Sequence, residues 1–205
     1  MIRKTVLATA ALALMLFTQV QAAQVSQDVI KETIVKHSLE MNVDPALALS
    51  IAKKESGFRH ELRSSHGAVG VFQLLPSTAK RMGYNPYYLS ENIKAGLTYY
   101  KMMYKMFGST ELALAAYNAG PGNVRRCGGK IPPYAETKRF VNVIMQDYRN
   151  QKKNPDPAIA KVQQDKIQKL PDRKTEAEAA PKDFELPLLN EIPEIKDSEP
   201  VMEIL

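Results

Sequence analysis

Apolar residues recur at helical spacing through most of this chain, and no segment alternates between apolar and polar residues as a strand does. Near the start of the pattern, Val29, Ile30, Ile34 and Met41 follow such a helical repeat. Glycine and proline separate the repeating segments between residues 26 and 150, which indicates helices joined by turns. The sequence therefore predicts a compact all-α domain of about six helices, with one long Ser-, Gly- and His-rich loop at residues 57–75.

Residues with known capping preferences predict where these helices begin and end. Asp44 before Pro45 is typical of a helix start, and Gly57 is typical of a helix end. We expect Ser77, Ser90 and Thr110 to start further helices. The predicted segments after the first are 45–56, 77–83, 90–107, 110–119 and about 136–149.

The composition changes after Asn150. Residues 158–170 carry a weak helical repeat, whereas the sequence beyond Pro171 is charged, proline-punctuated and short of aromatic residues, as disordered segments are. We therefore expect a globular domain at residues 23–150 and a largely disordered tail at 151–205 with a short helix at 158–170. The apolar stretch at 183–195 is either a partner-docking segment or part of a solvated tail.

The N-terminus has the three parts of a secretory signal. Arg3 and Lys4 precede an apolar run at residues 5–17, and Val20 and Ala22 are small residues at the positions that a signal peptidase reads. A membrane anchor is the alternative, but the run is shorter than the ~20 residues that span a bilayer. We expect residues 1–22 to be a signal peptide cleaved after Ala22, with no stable membrane insertion afterwards.

Charge is distributed unevenly along the chain. Residues 23–150 contain 17 Lys and Arg against 10 Asp and Glu, a net charge of +7, and residues 151–205 contain 9 against 12, a net charge of −3. A basic exported domain suits an anionic polymer such as cell wall, acidic lipid or nucleic acid, although a solvated basic surface has the same composition. No groove-reading motif accompanies the charge, so we expect no nucleic-acid partner. Cys127 is the only cysteine, which excludes an intramolecular disulfide.

Glu55 is a candidate catalytic acid. It follows the apolar helix body at 47–52 and precedes a loop, where partial burial would raise its pKa and keep it protonated. On this evidence alone, a surface glutamate after Lys53 and Lys54 is the favoured interpretation. No metal-ligand spacing occurs among the three histidines, so we expect neither a metal nor an organic cofactor.

Three motifs that follow one another along the chain favour the catalytic interpretation of Glu55. They are the run from Glu55 to Gly83, the segment AAYNAGPGNV and the segment IPPYAETKRFVNVI. Together they resemble the soluble lytic transglycosylase family, glycoside hydrolase family 23, over residues 28–148. The resemblance implies a lysozyme-like fold of the goose-type or SLT kind, a catalytic domain at residues 23–150, peptidoglycan as the partner and the periplasm as the location.

The resemblance also assigns roles to individual residues. Glu55 matches the catalytic glutamate of the family's Glu-Ser-Gly motif, and Ser64 matches a serine near it. Gln73 ends a Gly-Ala-Val-Gly-Val-Phe-Gln segment, and Tyr117 and Asn118 lie in the Ala-Tyr-Asn-Ala-Gly motif. Glu136 matches the glutamate that lines the glycan groove. The expected substrate-binding residues are therefore Ser64, Gln73, Tyr117, Asn118 and Glu136.

Physical chemistry supports these roles without fixing them. Gln73 and Asn118 offer both donors and acceptors to sugar hydroxyls, or they tie loop backbone together. Tyr117 has a ring that can pack on a sugar and a hydroxyl that can bond Glu55. Tyr99 is a further candidate for the groove. His60 and Glu61, and Phe140 where a tyrosine is common, depart from the family pattern and put subsite detail in doubt.

Ordinary glycosidases use two carboxylates, and this sequence has few candidates for the second one near its motifs. Glu61 is the only acid in the loop after Glu55, and the family uses no acid at that position. The resemblance therefore implies that Glu55 acts first as acid and then as base, forming a 1,6-anhydromuramoyl end. Alternatives are a hydrolytic muramidase of the same fold and a non-catalytic peptidoglycan-binding factor. The small domain also resembles transglycosylases that serve secretion, pilus or conjugation machinery, with the tail as a docking arm.

Overall fold

The structure is a computed structural model and describes residues 25–168. Residues 1–22, predicted as a signal peptide, and the predicted tail beyond Gln168 lie outside the described range. Within that range the chain forms eight helices and no strand, with only isolated bridges from Val69 to Arg63 and Leu74. The helices are α1 (Gln27–Glu40), α2 (Pro45–Ser56), α3 (Pro76–Arg81), α4 (Leu89–Phe107), α5 (Thr110–Ala119), α6 (Pro121–Arg126), α7 (Ala135–Lys153) and α8 (Pro157–Gln168).

Helix α2 has both of its predicted ends. The Asp44 carboxylate accepts a hydrogen bond from the Ala46 N–H at 2.9 Å, and Pro45 occupies the first turn. Gly57 adopts a left-handed conformation with φ of 60°, and its N–H donates to the Lys53 carbonyl at 3.0 Å. Glycine has no Cβ to oppose this conformation, so the helix ends at Ser56, directly after Glu55.

Three predicted helix starts are wrong by one residue. Helix α3 begins at Pro76 rather than Ser77, because the fixed φ of proline suits the first helical position. Helix α4 begins at Leu89, and the Ser90 hydroxyl bonds the His37 ring at 2.8 Å instead of capping the helix. Helix α5 is capped by Ser109, whose hydroxyl accepts from the Leu112 N–H at 3.1 Å, so Thr110 is already helical.

The C-terminal part of the described chain is more ordered than the sequence predicts. Helix α7 continues to Lys153 instead of ending at Arg149, so the predicted domain boundary at Asn150 lies inside a helix. The weak helical repeat corresponds to α8, which packs on α1 and buries Ala158. The six-residue helix α6 has no counterpart among the predicted helices.

The core is built around α2 and α5. Leu49, Ile51 and Ala52 of α2 are fully buried, as are residues 113–116 of α5. Helix α2 packs against α1 and α7, and α5 packs against α4, α6 and α7. None of the helices in residues 25–168 is both long and apolar enough to cross a bilayer. Because α2 and α5 are held in the core, the functional groups at their C-terminal ends have fixed positions.

Candidate active site

Glu55 lies in the last turn of α2, and the residue as a whole is partly exposed. Burial removes enough water from this carboxyl to raise its pKa to about 8. The Lys54 ammonium opposes the rise, and the Glu136 carboxylate adds to it. At this pKa most of the Glu55 carboxyl is protonated at neutral pH, so the predicted rise in its pKa is confirmed, while its role as a proton donor stays a prediction.

Tyr117 lies beside Glu55 but makes different contacts from those predicted. Its hydroxyl donates to the Phe72 carbonyl at 2.9 Å, and its buried ring packs edge-on against Tyr99 at 5.1 Å between centroids. Desolvation raises its pKa well above the usual value, and the charge of Glu55 contributes to the rise. The Tyr117 ring is therefore buried rather than free to stack on a sugar, and its hydroxyl bonds the Phe72 carbonyl rather than Glu55. Tyr99 is a packing partner of this ring.

Gln73 folds the loop that runs beside the site. Its side-chain amide donates to the carbonyls of Gly70 at 2.8 Å and Leu62 at 3.2 Å, and its own backbone has a positive φ of 43°. A non-glycine residue in this conformation is held there by its surroundings. Of the two roles that the sequence leaves open, the amide nitrogen of Gln73 has the structural one.

Ser64 also shapes the loop. Its hydroxyl accepts from the Ala68 N–H at 3.0 Å, and its N–H donates to the Ala68 carbonyl at 2.9 Å. The Gly67 N–H closes the same turn on the Ser64 carbonyl at 3.0 Å. These contacts lie within the turn at residues 64–68, and the structure shows none between Ser64 and Glu55.

Asn118 and Glu136 join the end of α5 to the start of α7. The Asn118 side-chain carbonyl accepts from the Thr137 hydroxyl at 2.8 Å, next to Glu136. Glu136 is exposed in the first turn of α7, and its charge acts on Glu55. Three helix ends therefore bring Glu55, Tyr117, Asn118 and Glu136 together, although residues 55 and 136 are far apart in sequence.

Sequence reasoning missed Asn92, which fastens the loop to α4. Its fully buried side chain accepts from the Phe72 N–H at 2.9 Å and donates to the Val69 carbonyl at 2.9 Å and the Pro86 carbonyl at 3.1 Å. The backbone of Gly70 lies so close that an added Cβ would be 2.3 Å from the Asn92 amide nitrogen. The sequence signal for Asn92 was an asparagine on the apolar face of a helix. No sequence signal identifies the Phe72 carbonyl as the acceptor of the Tyr117 hydroxyl, because it is a backbone atom.

Pockets elsewhere in the described range do not include the predicted site residues. One of about 600 Å³ lies between the C-terminal end of α1 and the outer face of α4, beside Asp44 and Tyr148. Another of about 380 Å³ lies beside Phe58 and Asp147. In residues 25–168 no group of three or more His, Cys, Asp and Glu side chains is arranged to hold a metal ion. The candidate active site around Glu55 therefore lies where the helix ends meet, outside both of these pockets.

Comparison with known proteins gives consistent matches. Residues 32–139, more than half of the chain, match the model of the transglycosylase SLT domain. The soluble lytic murein transglycosylase of Escherichia coli K12 is 33% identical over an alignment of 130 residues, and the match covers 51% of this chain and 20% of that protein. The transglycosylase of Enterobacteria phage PRD1 is 35% identical over 115 residues, 55% of this chain and 43% of the phage protein. The chain thus spans less than half the length of these relatives.

Solved structures agree with the sequence matches. The crystal structure of the 70 kDa soluble lytic transglycosylase from Escherichia coli superposes with a TM-score of 0.53 and 26% identity, covering 62% of this chain and 25% of that one. An inactive Glu-to-Gln mutant of the lytic transglycosylase Slt from Pseudomonas aeruginosa superposes with a TM-score of 0.52 and 27% identity, again covering 62% and 25%. The helical architecture and the family match agree, and the chain belongs to the lysozyme-like transglycosylase SLT domain family.

Proposed function

We propose that this protein is a peptidoglycan lytic transglycosylase that cleaves the β-1,4 bond between N-acetylmuramic acid and N-acetylglucosamine. The observation that carries the proposal is the position of Glu55 at the end of α2, where burial raises the pKa of its carboxyl to about 8. A carboxyl group that is protonated at neutral pH is suited to general acid catalysis of glycoside cleavage. The names of the relatives, all transglycosylases, support the same reaction class.

In the proposed mechanism Glu55 acts twice. Its proton passes to the glycosidic oxygen as the bond to the muramic C1 breaks, and the substrate's own N-acetyl oxygen stabilises the cationic centre. The Glu55 carboxylate then takes the proton from the muramic C6 hydroxyl, whose oxygen attacks C1. The product carries a 1,6-anhydro ring, no water is consumed, and Glu55 regains its proton.

Glu136 is the second carboxylate in this arrangement. It is exposed and acts on Glu55 through its charge, which favours the protonated form of Glu55. In the rival reaction, hydrolysis by a muramidase of the same fold, Glu136 would be the base that activates water. Mass spectrometry of the released muropeptides separates the two reactions, because anhydro ends support the proposal and exclusively reducing ends overturn it.

Substitution of Glu55 tests the catalytic role. We expect Glu55→Gln to reduce turnover of purified peptidoglycan about a thousandfold or more, because the amide cannot donate the proton. Glu61→Gln, which changes the only acid in the adjoining loop, is the matched control and should retain activity. Binding without cleavage by the wild-type protein would favour the non-catalytic alternative, and normal turnover by Glu55→Gln would remove Glu55 from the mechanism.

We further propose that the protein acts in the periplasm and serves a secretion, pilus or conjugation machine through its C-terminal tail. The N-terminal signal pattern supports export, and the apolar stretch at 183–195 within an acidic tail supports a docking role. Full-length protein and a variant with residues 169–205 scrambled can be cross-linked in cells that assemble such a machine. Equal recovery of machine components with both proteins would contradict the proposal.

A further inference from the structure

Two neighbouring tyrosines are unusually exposed beside the loop that carries Gln73. The exposed fraction is 54% for Tyr87 and 63% for Tyr88. The Arg63 guanidinium lies over the ring of Tyr87, 5.5 Å from its centroid. We call Arg63, Tyr87 and Tyr88 the tyrosine platform. Exposed aromatic side chains next to a fixed cation are typical of a binding surface rather than of a solvated loop.

The platform is held in place before any ligand binds. The Arg63 Nη1 group donates to the carbonyls of His60 at 3.0 Å and Leu62 at 2.9 Å, which fixes the position of the charge. The His60 Nε2 lies 3.0 Å from the Tyr87 carbonyl and donates to it in the tautomer that carries hydrogen on Nε2, and the Asn92 amide donates to the Pro86 carbonyl. The Arg63 side chain and the backbone that carries Tyr87 therefore lose little conformational freedom on binding.

The platform is continuous with the candidate active site. The Leu62 carbonyl, next to Arg63, accepts from the Gln73 side-chain amide at 3.2 Å and from the Gly70 N–H at 3.0 Å. Arg63 itself pairs with Val69 across the same loop. Gln73 and the platform therefore contact the same short stretch of backbone, so a long ligand in contact with Gln73 can extend over the tyrosines.

The Arg63 guanidinium favours an anionic group on a ligand at the platform, and the nearest acid of α4, Glu91, already accepts the Asn85 N–H at 2.6 Å. Arg59 and Arg63 flank Glu61, the only acidic residue in the loop at 57–75. An arginine binds carboxylates with two parallel hydrogen bonds, and a tyrosine ring offers an apolar face with a polar edge. A sugar strand that bears peptides with free carboxylates has both kinds of group that such a surface recognises.

We propose that the tyrosine platform is a subsite for the peptide-bearing glycan strand, away from the bond that is cleaved. Tyr87 and Tyr88 pack against a sugar ring, and Arg63 binds a carboxylate of the attached peptide. This inference rests on the proposed function, since it takes peptidoglycan as the ligand. His60, which contacts the Tyr87 carbonyl, is also a position at which the sequence departs from the family pattern.

Kinetics on two substrates test the assignment. Arg63→Gln should raise KM about tenfold on peptide-bearing strands and leave KM unchanged on strands from which an amidase has removed the peptides, with kcat unchanged on both. Arg63→Lys, which keeps the charge, should restore part of the loss. Replacing both Tyr87 and Tyr88 by alanine should raise KM on both substrates. Tyr104 is an exposed tyrosine on α4, and Tyr104→Ala is the matched control, which should leave KM unchanged on both substrates.

Binding measurements keep this test separate from the proposed function. The same variants can be built on full-length Glu55→Gln protein, and their cosedimentation with intact and peptide-free peptidoglycan measured. The subsite is supported if Arg63→Gln weakens binding only to peptide-bearing strands and the double tyrosine variant weakens binding to both substrates. This result would support the subsite even if the wild-type protein cleaves nothing. Equal binding by all variants, or an Arg63→Gln effect of the same size on both substrates, overturns the inference.

Discussion

At the scale of single residues, two charges act on Glu55 in opposite directions. The Lys54 ammonium lowers its pKa, and the Glu136 carboxylate raises it, against a larger rise from desolvation. Lys54 is also held over the ring of Phe140, 5.4 Å from its centroid. The protonation of Glu55 is therefore adjustable from either neighbour without a change in the acid itself.

Substitution of these neighbours should move the alkaline limb of the pH–activity profile. Because protonated Glu55 is the active form, activity should fall as the pH rises through about 8. Glu136→Gln removes a like charge and should move this fall to lower pH, whereas Lys54→Gln removes an opposite charge and should move it to higher pH. The measurement is kcat/KM between pH 5 and pH 10 at constant ionic strength.

Lys53→Gln is the matched control for this pair. Lys53 is paired with Asp147 at 2.6 Å and is not among the groups that shift Glu55. Its substitution should leave the alkaline limb in place. Shifts in the same direction for Glu136→Gln and Lys54→Gln would show that these charges do not act on Glu55 as described.

The raised pKa of Glu55 also has a consequence for stability. The folded-state pKa of about 8 lies above the ordinary value of 4.5, so between these two pH values the folded protein holds a proton that the unfolded chain releases. The free energy of unfolding should therefore fall as the pH rises from about 4.5 to about 8. Glu55→Gln should be close to wild type at pH 5 and more stable by about 2 kcal/mol at pH 8, a value reduced to allow for partial exposure.

Urea denaturation at the two pH values measures this difference. Because other titrating groups are common to both proteins, the comparison of Glu55→Gln with wild type isolates residue 55. An equal gap at pH 5 and pH 8 would mean that Glu55 titrates normally in the folded protein.

At the scale of elements, α4 holds the loop through its buried face. Gly96 lies against Phe72, where an added Cβ would be 2.3 Å from the ring, and Asn92 binds the backbone of the same residue. The Phe72 carbonyl in turn accepts the Tyr117 hydroxyl. One helix thus positions the loop, and the loop positions the residue that supports Glu55.

Asn92→Ala should loosen this arrangement. The substitution leaves the buried Phe72 N–H and the Val69 and Pro86 carbonyls without their partner and should lower the free energy of unfolding by about 2–3 kcal/mol. Because Phe72 also holds Tyr117, we expect kcat to fall as well. Urea denaturation and steady-state kinetics measure the two effects. Asn150→Ala, at an exposed position on α7, should change neither, and wild-type values for Asn92→Ala would contradict the role.

The sequence predicts elements better than contacts, and these residues show why. Helix α2 is signalled by Asp44, Pro45 and Gly57, all of which act locally. Ser90 looks like a cap, but its hydroxyl bonds His37, which is distant in sequence. Glu55 could be identified from its motif, whereas the acceptor of the Tyr117 hydroxyl is a backbone carbonyl that only the fold brings near.

At the scale of the whole molecule, α8 extends the folded body beyond the predicted domain boundary. Ala158 is buried against the body, and ion pairs join Lys31 to Asp156 at 2.9 Å and Lys161 to Glu32. The residues that converge on Glu55 belong to α2, α5 and α7. The contact of α8 with α1 is therefore structurally separate from the candidate active site.

This separation predicts that α8 can be released while activity is retained. Ala158→Glu places a carboxylate in the buried contact and should detach α8, because burial of an unpaired charge is costly. Ala160→Glu makes the same change at an exposed position of the same helix and is the matched control. Limited trypsin digestion, followed by mass spectrometry, should show faster cleavage after Lys161 and Lys166 in Ala158→Glu only. Peptidoglycan turnover should be the same for both variants. Equal digestion rates would show that the buried Ala158 contact does not hold α8, and a loss of turnover confined to Ala158→Glu would show that α8 supports the active site through α1 and α2.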